Sequence, residues 1–178
     1  FPQRGRHDLV GLDNRRAGAI VTSYLLDIGC TRVAFVGEPD AASTVDARQS
    51  GYREVLERRG LAAEDLILRG DPSDSSLVAT LVVRQSPDAV VAATDRTAGI
   101  LMRTVMDLGY RVPSDVRIVG IDDAEYAGLL PVPLTTLRQP CREIGIAAMA
   151  ALVERIAAPD LPARDILLHG KLVVRAST

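Results

Sequence analysis

Aromatic side chains are scarce in this chain: 178 residues contain no Trp, two Phe and four Tyr, which leaves little for a ring-shaped ligand to stack on. Lysine is scarcer still. Lys171 is the only one, and every other basic residue is arginine, which reads as a bias towards GC-rich codons. The 21 basic and 23 acidic residues nearly cancel to a net charge of -2, so this stretch does not hold nucleic acid by charge alone. Two cysteines, Cys30 and Cys141, form neither a metal-ligand spacing nor a disulfide framework, and both are expected as buried, reduced thiols. His7 and His169 lie near opposite ends, which gives no catalytic triad. No apolar run approaches the ~20 residues of a membrane span, and no secretory leader is visible. There is no G-x-G-x-x-G after a strand, no G-x-x-x-x-G-K-[ST] and no G-x-S-x-G elbow. The chain opens on "FPQRGRHDLV", without Met, and reads as a piece whose beginning has been lost.

What remains is an ordinary globular composition, 47% hydrophobic and 25% charged, of a length that suits one domain or two lobes with one of them small. Strand-like and helix-like segments alternate. A helix from Asn14, capped by Asp13 or Asn14, carries Ala17, Ile20, Val21, Tyr24, Leu25 and Ile28 and stops at Gly29. "RVAFVG" reads as a buried strand. A second helix runs from about Asp46 to Arg59, with Tyr52, Val55 and Leu56 inward and Gly60 at its end. "LILRG" is a short strand, and Ser73 is placed to cap a third helix carrying Leu77, Val78, Leu81 and Val82. "DAVVAAT" is a strand. Arg96 to Leu108 is a helix with Ala98, Leu101, Met102 and Val105 on one face and Gly109 as its stop. The strand Val116 to Ile121 follows, then a proline-rich crossing, then "PLTT". A long helix from about Arg142 to Ala157 carries a stripe of Ile144, Ala147, Ala148, Ala151 and Leu152. Two strand-like runs flank His169-Gly170, as a hairpin or one bent strand. Continuous apolar strands alternating with helices predict an α/β fold, a parallel sheet flanked by helices.

In such sheets ligands gather at the carboxyl ends of the strands. Each of those ends carries an acid here: Glu38, Asp71, Asp95, and the pair Asp122-Asp123. Asp71 and Asp95 fit equally well as helix caps. No strong helix pattern follows Asp122, so capping explains it less well. Arg48, near the start of the second helix, is disfavoured there by the helix dipole, which leaves either a solvated side chain or a fork of donors aimed at the acid-rimmed edge. A guanidinium beside carboxylates grips a polyhydroxylated or partly anionic small molecule. A magnesium site built from Asp95 and Asp122, serving phosphoryl transfer, is the surviving enzymatic alternative. It lacks a nearby lysine.

The segments "VGLDNRRAGAIVTSYLLDIGCTRVAFVGEP", "ARQSGYREVLERRGL", "DAVVAATDRTAGILMRTVMDLGYRVPSDVRIVGIDD" and "PVPLTTLRQPCREIGIAAMAALVERI", with the final "LVVRAST", together resemble the effector-binding module of the lactose-repressor (LacI/GalR) family of bacterial transcriptional regulators. The resemblance implies a two-lobed, type I periplasmic-binding-protein-like fold with the second lobe nearly complete and the first only partly present. Residues 1–13 would end the first lobe, 14–133 form the second, 134–158 cross back towards the first, and 159–178 supply the last strands of the second. It implies no cofactor, no catalytic residue and no metal. It implies a small-molecule effector (sugar, sugar phosphate or nucleobase-like), a homodimer, no membrane, a cytoplasmic location, and operator DNA bound only through an N-terminal helix-turn-helix headpiece. A periplasmic sugar-binding receptor of an ABC transporter is the alternative on the same fold. By position the resemblance puts Asp13, Arg48 and Asp122 on the effector, with Gln139, Asp95, Thr94 and Pro72 beside them. Thr94 stands where many members have Asn, and Pro72 where some place a stacking aromatic. Tyr126, Leu129, Leu130, Met102 and Met106 match the dimer interface. On this reading Arg48→Ala or Asp122→Ala removes effector binding and leaves the fold intact.

Overall fold

A computed structural model describes residues 7–39, 42–62 and 66–178. Residues 1–6 of the expected first-lobe end lie outside the described residues. The elements are β1 (Leu9–Leu12), α1 (Asn14–Asp27), β2 (Val33–Gly37), α2 (Ser43–Arg58), β3 (Ile67–Arg69), α3 (Ser75–Ala79), β4 (Ala89–Ala92), α4 (Asp95–Asp107), β5 (Arg117–Asp122), β6 (Thr135–Arg138), α5 (Cys141–Ala157), β7 (Asp165–Leu168) and β8 (Lys171–Val173). A π-helical turn, Thr80–Gln85, prolongs α3, and a 3₁₀ turn, Glu125–Gly128, follows β5.

Local signals explain most of the boundaries. Asp13 accepts the Arg16 backbone N–H at 2.9 Å and caps α1. Gly29, Gly60 and Gly109, all with positive φ, follow the ends of α1, α2 and α4, as their sequence positions indicate. The cap of α3 is Asp74, not Ser73: its Oδ1 accepts from the N–H of Ser76 and Leu77 at 2.8 and 3.2 Å. Ser73 is already committed, donating its N–H and hydroxyl to Asp71 Oδ1. Helix α2 begins at Ser43, earlier than Asp46.

The main sheet has six strands in the order β3-β2-β4-β5-β6-β8, parallel except for β8, which runs antiparallel to β6. Along β2, β4 and β5, alternate residues serve opposite faces. Phe35, Val91 and Ile121 face α1 and α2, beside Leu12, Val21 and Leu25. Val36, Val90 and Ile118 face α3 and α4, beside Val78, Leu101 and Met102. This two-sided burial is why the strands read as unbroken apolar runs. Each such Val, Leu or Ile contributes about 1.5–3 kcal/mol relative to an exposed one.

The tail is neither a hairpin nor one bent strand. Strand β7 leaves the main sheet and pairs in parallel with β1, while β8 joins β6. Residues 159–178 are therefore shared between two sheets. Helix α5 packs chiefly on β1 and β7. Of its expected stripe only Ala151 is buried, and Leu152 faces outward with Ile146, Met149, Val153 and Ile156. The cysteines divide: Cys30 is buried, and burial pushes its thiol up, whereas Cys141 is exposed at the first residue of α5.

Candidate functional site

The end of β4, the end of β5 and the start of α1 converge on Arg48. The parallel sheet puts the ends of β4 and β5 side by side, and α2 carries the arginine over them. Its Nε donates to Asn14 Oδ1 at 2.8 Å, Nη1 to the Ala93 carbonyl at 2.6 Å, and Nη2 to Asp122 Oδ1 at 3.5 Å. Arg48 is only 5% exposed, so it belongs to the packed interior as much as to the site. Burial lowers its pKa, and the Asp122 carboxylate opposes that shift.

Asp122 is the last residue of β5. Gln139, just past β6, donates its side-chain Nε2 to Asp122 Oδ1 at 2.6 Å. Among the described residues no donor reaches Asp122 Oδ2, and the side chain is partly open to solvent. An open carboxylate oxygen thus lies beside a fixed guanidinium with unused N–H groups. A hydroxyl placed there donates to one and accepts from the other. The backbone at this point is unusual: Asp122 has φ 148° and Asp123 φ 56°. Non-glycine residues in such regions cost on the order of 1–3 kcal/mol each, least for Asp and Asn in the left-handed well.

The remaining expected residues divide. Asp13 caps α1 and neighbours Asn14, which touches Arg48. Thr94 caps α4, accepting the Thr97 N–H at 3.1 Å. Asp95 is fully buried: it accepts the Thr136 hydroxyl on one oxygen and the Ala124 N–H on the other, at 2.9 Å. Burial pushes its carboxyl up. Asp95 is therefore an internal brace between α4 and the turn after β5, with no oxygen turned to a ligand. Pro72 is buried as well, and its carbonyl accepts the Thr104 hydroxyl of α4 at 2.8 Å, so it offers no open face for stacking. Among the described residues no group of three or more His, Cys, Asp or Glu is arranged to hold a metal ion, and Asp95 is unavailable to the phosphoryl-transfer alternative.

Sequence reasoning passed over Asn14 as a site residue, because its cap position explained it. It also missed Asp123, whose carboxylate is gripped by Arg138 Nε at 2.5 Å and Arg175 Nη2 at 2.6 Å. A second guanidinium, Arg69, spans Gln49 and Asp46 at the end of β3.

Met106, Tyr126 and Leu129 are exposed, Leu129 at 84%. Met102 is fully buried in the core, which removes it from any interface, and Leu130 packs partly against that same core. No helix among the described residues is long and apolar enough to cross a membrane.

A sequence profile for the periplasmic binding protein-like domain matches residues 22–178. The chain is similar to the HTH-type transcriptional repressor PurR of Vibrio atlanticus (strain LGP32), 31% identical over 99% of this chain and 54% of the relative. It is equally similar to the ribose operon repressor of Escherichia coli (strain K12), 31% identical over 99% of this chain and 55% of the relative. Among solved structures, a transcriptional regulator CelR–cellobiose complex superposes with a TM-score of 0.87 at 31% identity, covering 97% of this chain and 54% of that one. A LacI family transcriptional regulator from Enterococcus faecium with bound ribose gives a TM-score of 0.82 at 25% identity, covering 98% and 66%. The chain spans about half the length of the curated relatives it matches.

Proposed function

Because the chain belongs to the periplasmic binding protein-like family, in the form carried by LacI-type regulators, we propose that it is the effector-sensing module of a bacterial transcriptional repressor. The effector is held at Arg48, Asp122 and Gln139, with Asp13 and Asn14 at the margin. The observation that carries this reading is the open Asp122 Oδ2 beside the buried, fully oriented Arg48. Such a pair favours a ligand bearing neighbouring hydroxyls. Cellobiose and ribose in the related complexes are of that class.

Effector binding changes operator affinity only through its different affinity for two arrangements of the protein. The crossing segment 134–158 supplies the route. Gln139 and α5 follow directly from β6, and the outward apolar face of α5 fits a covering lobe that lies beyond this chain. Operator DNA is bound by a helix-turn-helix elsewhere in the protein. A homodimer forms through Leu129, Tyr126 and Met106, in the cytoplasm.

Thermal-shift screening of the full-length protein against monosaccharides, disaccharides, sugar phosphates and nucleobases tests the reading. An effector at a hundred times its Kd stabilises by about 2.7 kcal/mol. Arg48→Lys and Asp122→Asn are each expected to weaken binding of whichever compound gives the response by more than tenfold. Retained affinity in both variants refutes the site.

A further inference from the structure

Two successive residues at the end of β5, Asp122 and Asp123, have positive φ, 148° and 56°. Backbone of this kind persists only where its surroundings over-determine it. Asp122 itself is held on one side only: Gln139 Nε2 reaches its Oδ1 at 2.6 Å, while its carboxylate is partly open and its contact with Arg48 is long, at 3.5 Å. The remaining restraint comes from the next two residues. Asp123 places Oδ2 2.5 Å from Arg138 Nε and Oδ1 2.6 Å from Arg175 Nη2, and its N–H donates to Thr136 Oγ1 at 3.3 Å. Ala124 N–H is held by the buried Asp95.

We propose that Asp123, clamped by Arg138 and Arg175, is a positioning residue that aims the Asp122 carboxylate at Arg48. The proposal deepens, and rests on, the reading of Arg48 and Asp122 as the effector site. Asp123 does not touch the effector: its side chain is 7% exposed and both oxygens are occupied. Burial works against its charge, and the two guanidiniums outweigh burial, which keeps its carboxyl below the ordinary range. The clamp is anchored at both ends. Arg175 also donates from Nη1 to the Leu134 carbonyl at 2.8 Å, at the start of β6. Arg138 pairs in register with Asp122 and immediately precedes Gln139, which donates to the same carboxylate. The end of β5, the end of β6 and the segment after β8 are thus tied at one acid, and Asp122 is carried on that knot.

Crystal structures and calorimetry of the full-length protein test this. In Asp123→Asn the Arg48 Nη2–Asp122 Oδ1 separation is expected to open beyond hydrogen-bond range, with Asp122 leaving positive φ. An unchanged separation overturns the proposal, whether or not any ligand binds. Cellobiose and D-ribose serve as binding probes. The affinity of whichever binds the wild type should fall more than tenfold, measured well below both melting temperatures. Asp123→Asn added to Asp122→Asn should cost no further affinity, because one acts through the other. An additive loss overturns the proposal. The exposed Arg138→Gln, which removes one arm of the clamp, should give a smaller loss in the same direction and substitutes for Asp123→Asn if that variant does not fold. If the geometry opens as expected but Arg48→Ala keeps full probe affinity, the clamp stands and the effector-site reading fails.

Discussion

Arg48 and Asn14 are 34 residues apart in sequence and 2.8 Å apart in space, Nε to Oδ1. The arginine is therefore a fastener between α1 and α2 as well as a candidate ligand contact, which corrects the expectation that its removal leaves the fold untouched. Arg48→Ala strands the buried Ala93 carbonyl and the Asn14 amide. It should lower stability by roughly 1–3 kcal/mol in urea denaturation. Asp122→Ala, at a more open position, should cost less than Arg48→Ala in the same experiment.

Gly18 and Gly51 let α1 and α2 touch backbone to backbone. A Cβ on Gly18 would sit 2.0 Å from the Arg48 carbonyl oxygen, and one on Gly51 1.9 Å from that of Arg15. Gly→Ala in an open helix stabilises by about 1 kcal/mol. Here the sign reverses, because the helices must separate: Gly18→Ala and Gly51→Ala should each destabilise by about 3 kcal/mol. A stabilised variant would mean the helices cross with more room than this.

Asp8 joins the start of β1 to α5 and to the segment before β7. Arg155 Nη2 lies 2.8 Å from Oδ1 and Arg164 Nη2 3.4 Å from Oδ2. Hydrogen bonds from Arg155 and then Arg164 pull its carboxyl from 3.8 to about 2. A folded-state pKa below the unfolded one stabilises at pH above 3.8, and that contribution is lost as pH falls towards 2. Acid unfolding followed by circular dichroism should show Asp8→Asn with a flatter dependence than wild type between about pH 4 and 2. Parallel curves over that window would remove Asp8 from the acid transition.

Leu129, the most exposed large apolar side chain among the described residues, belongs with the exposed Tyr126 and Met106 to the proposed dimer face. Leu129→Asp should shift the full-length protein towards monomer in sedimentation velocity. Met102→Ala, at a core position, should instead lower stability by about 2–5 kcal/mol with the association state unchanged. An undisturbed dimer in Leu129→Asp would place the interface elsewhere.

The Arg48–Asp122 group was legible because parallel strands deliver their tips to one edge and because a cation near a helix start invites a reason. Met102 is instructive. Its helical spacing with Ala98, Leu101 and Val105 already placed it on the inward face, and the family resemblance pulled it outward wrongly. Depth separates Asp95 from Asp122: both end strands or start helices, yet only the structure shows one sealed between Thr136 and Ala124. The clamp on Asp123 was invisible because Arg175 lies 52 residues away and belongs to a tail whose strands choose different sheets. Periodicity marks an apolar stripe on α5, but says nothing about what covers it.

The pairing of β1 with β7 also sets a timetable for synthesis. Asp8 and Arg164, which flank that ladder, are 156 residues apart. At ~5–20 residues per second, the ribosome needs on the order of ten to thirty seconds between the two. Throughout that interval β1 lacks its β7 partner, and its outward Leu9 and the amides that β7 would meet are available to any passing edge. This ladder therefore closes late, after the residues between its two strands have been made, and a nascent chain needs protection at β1 until then.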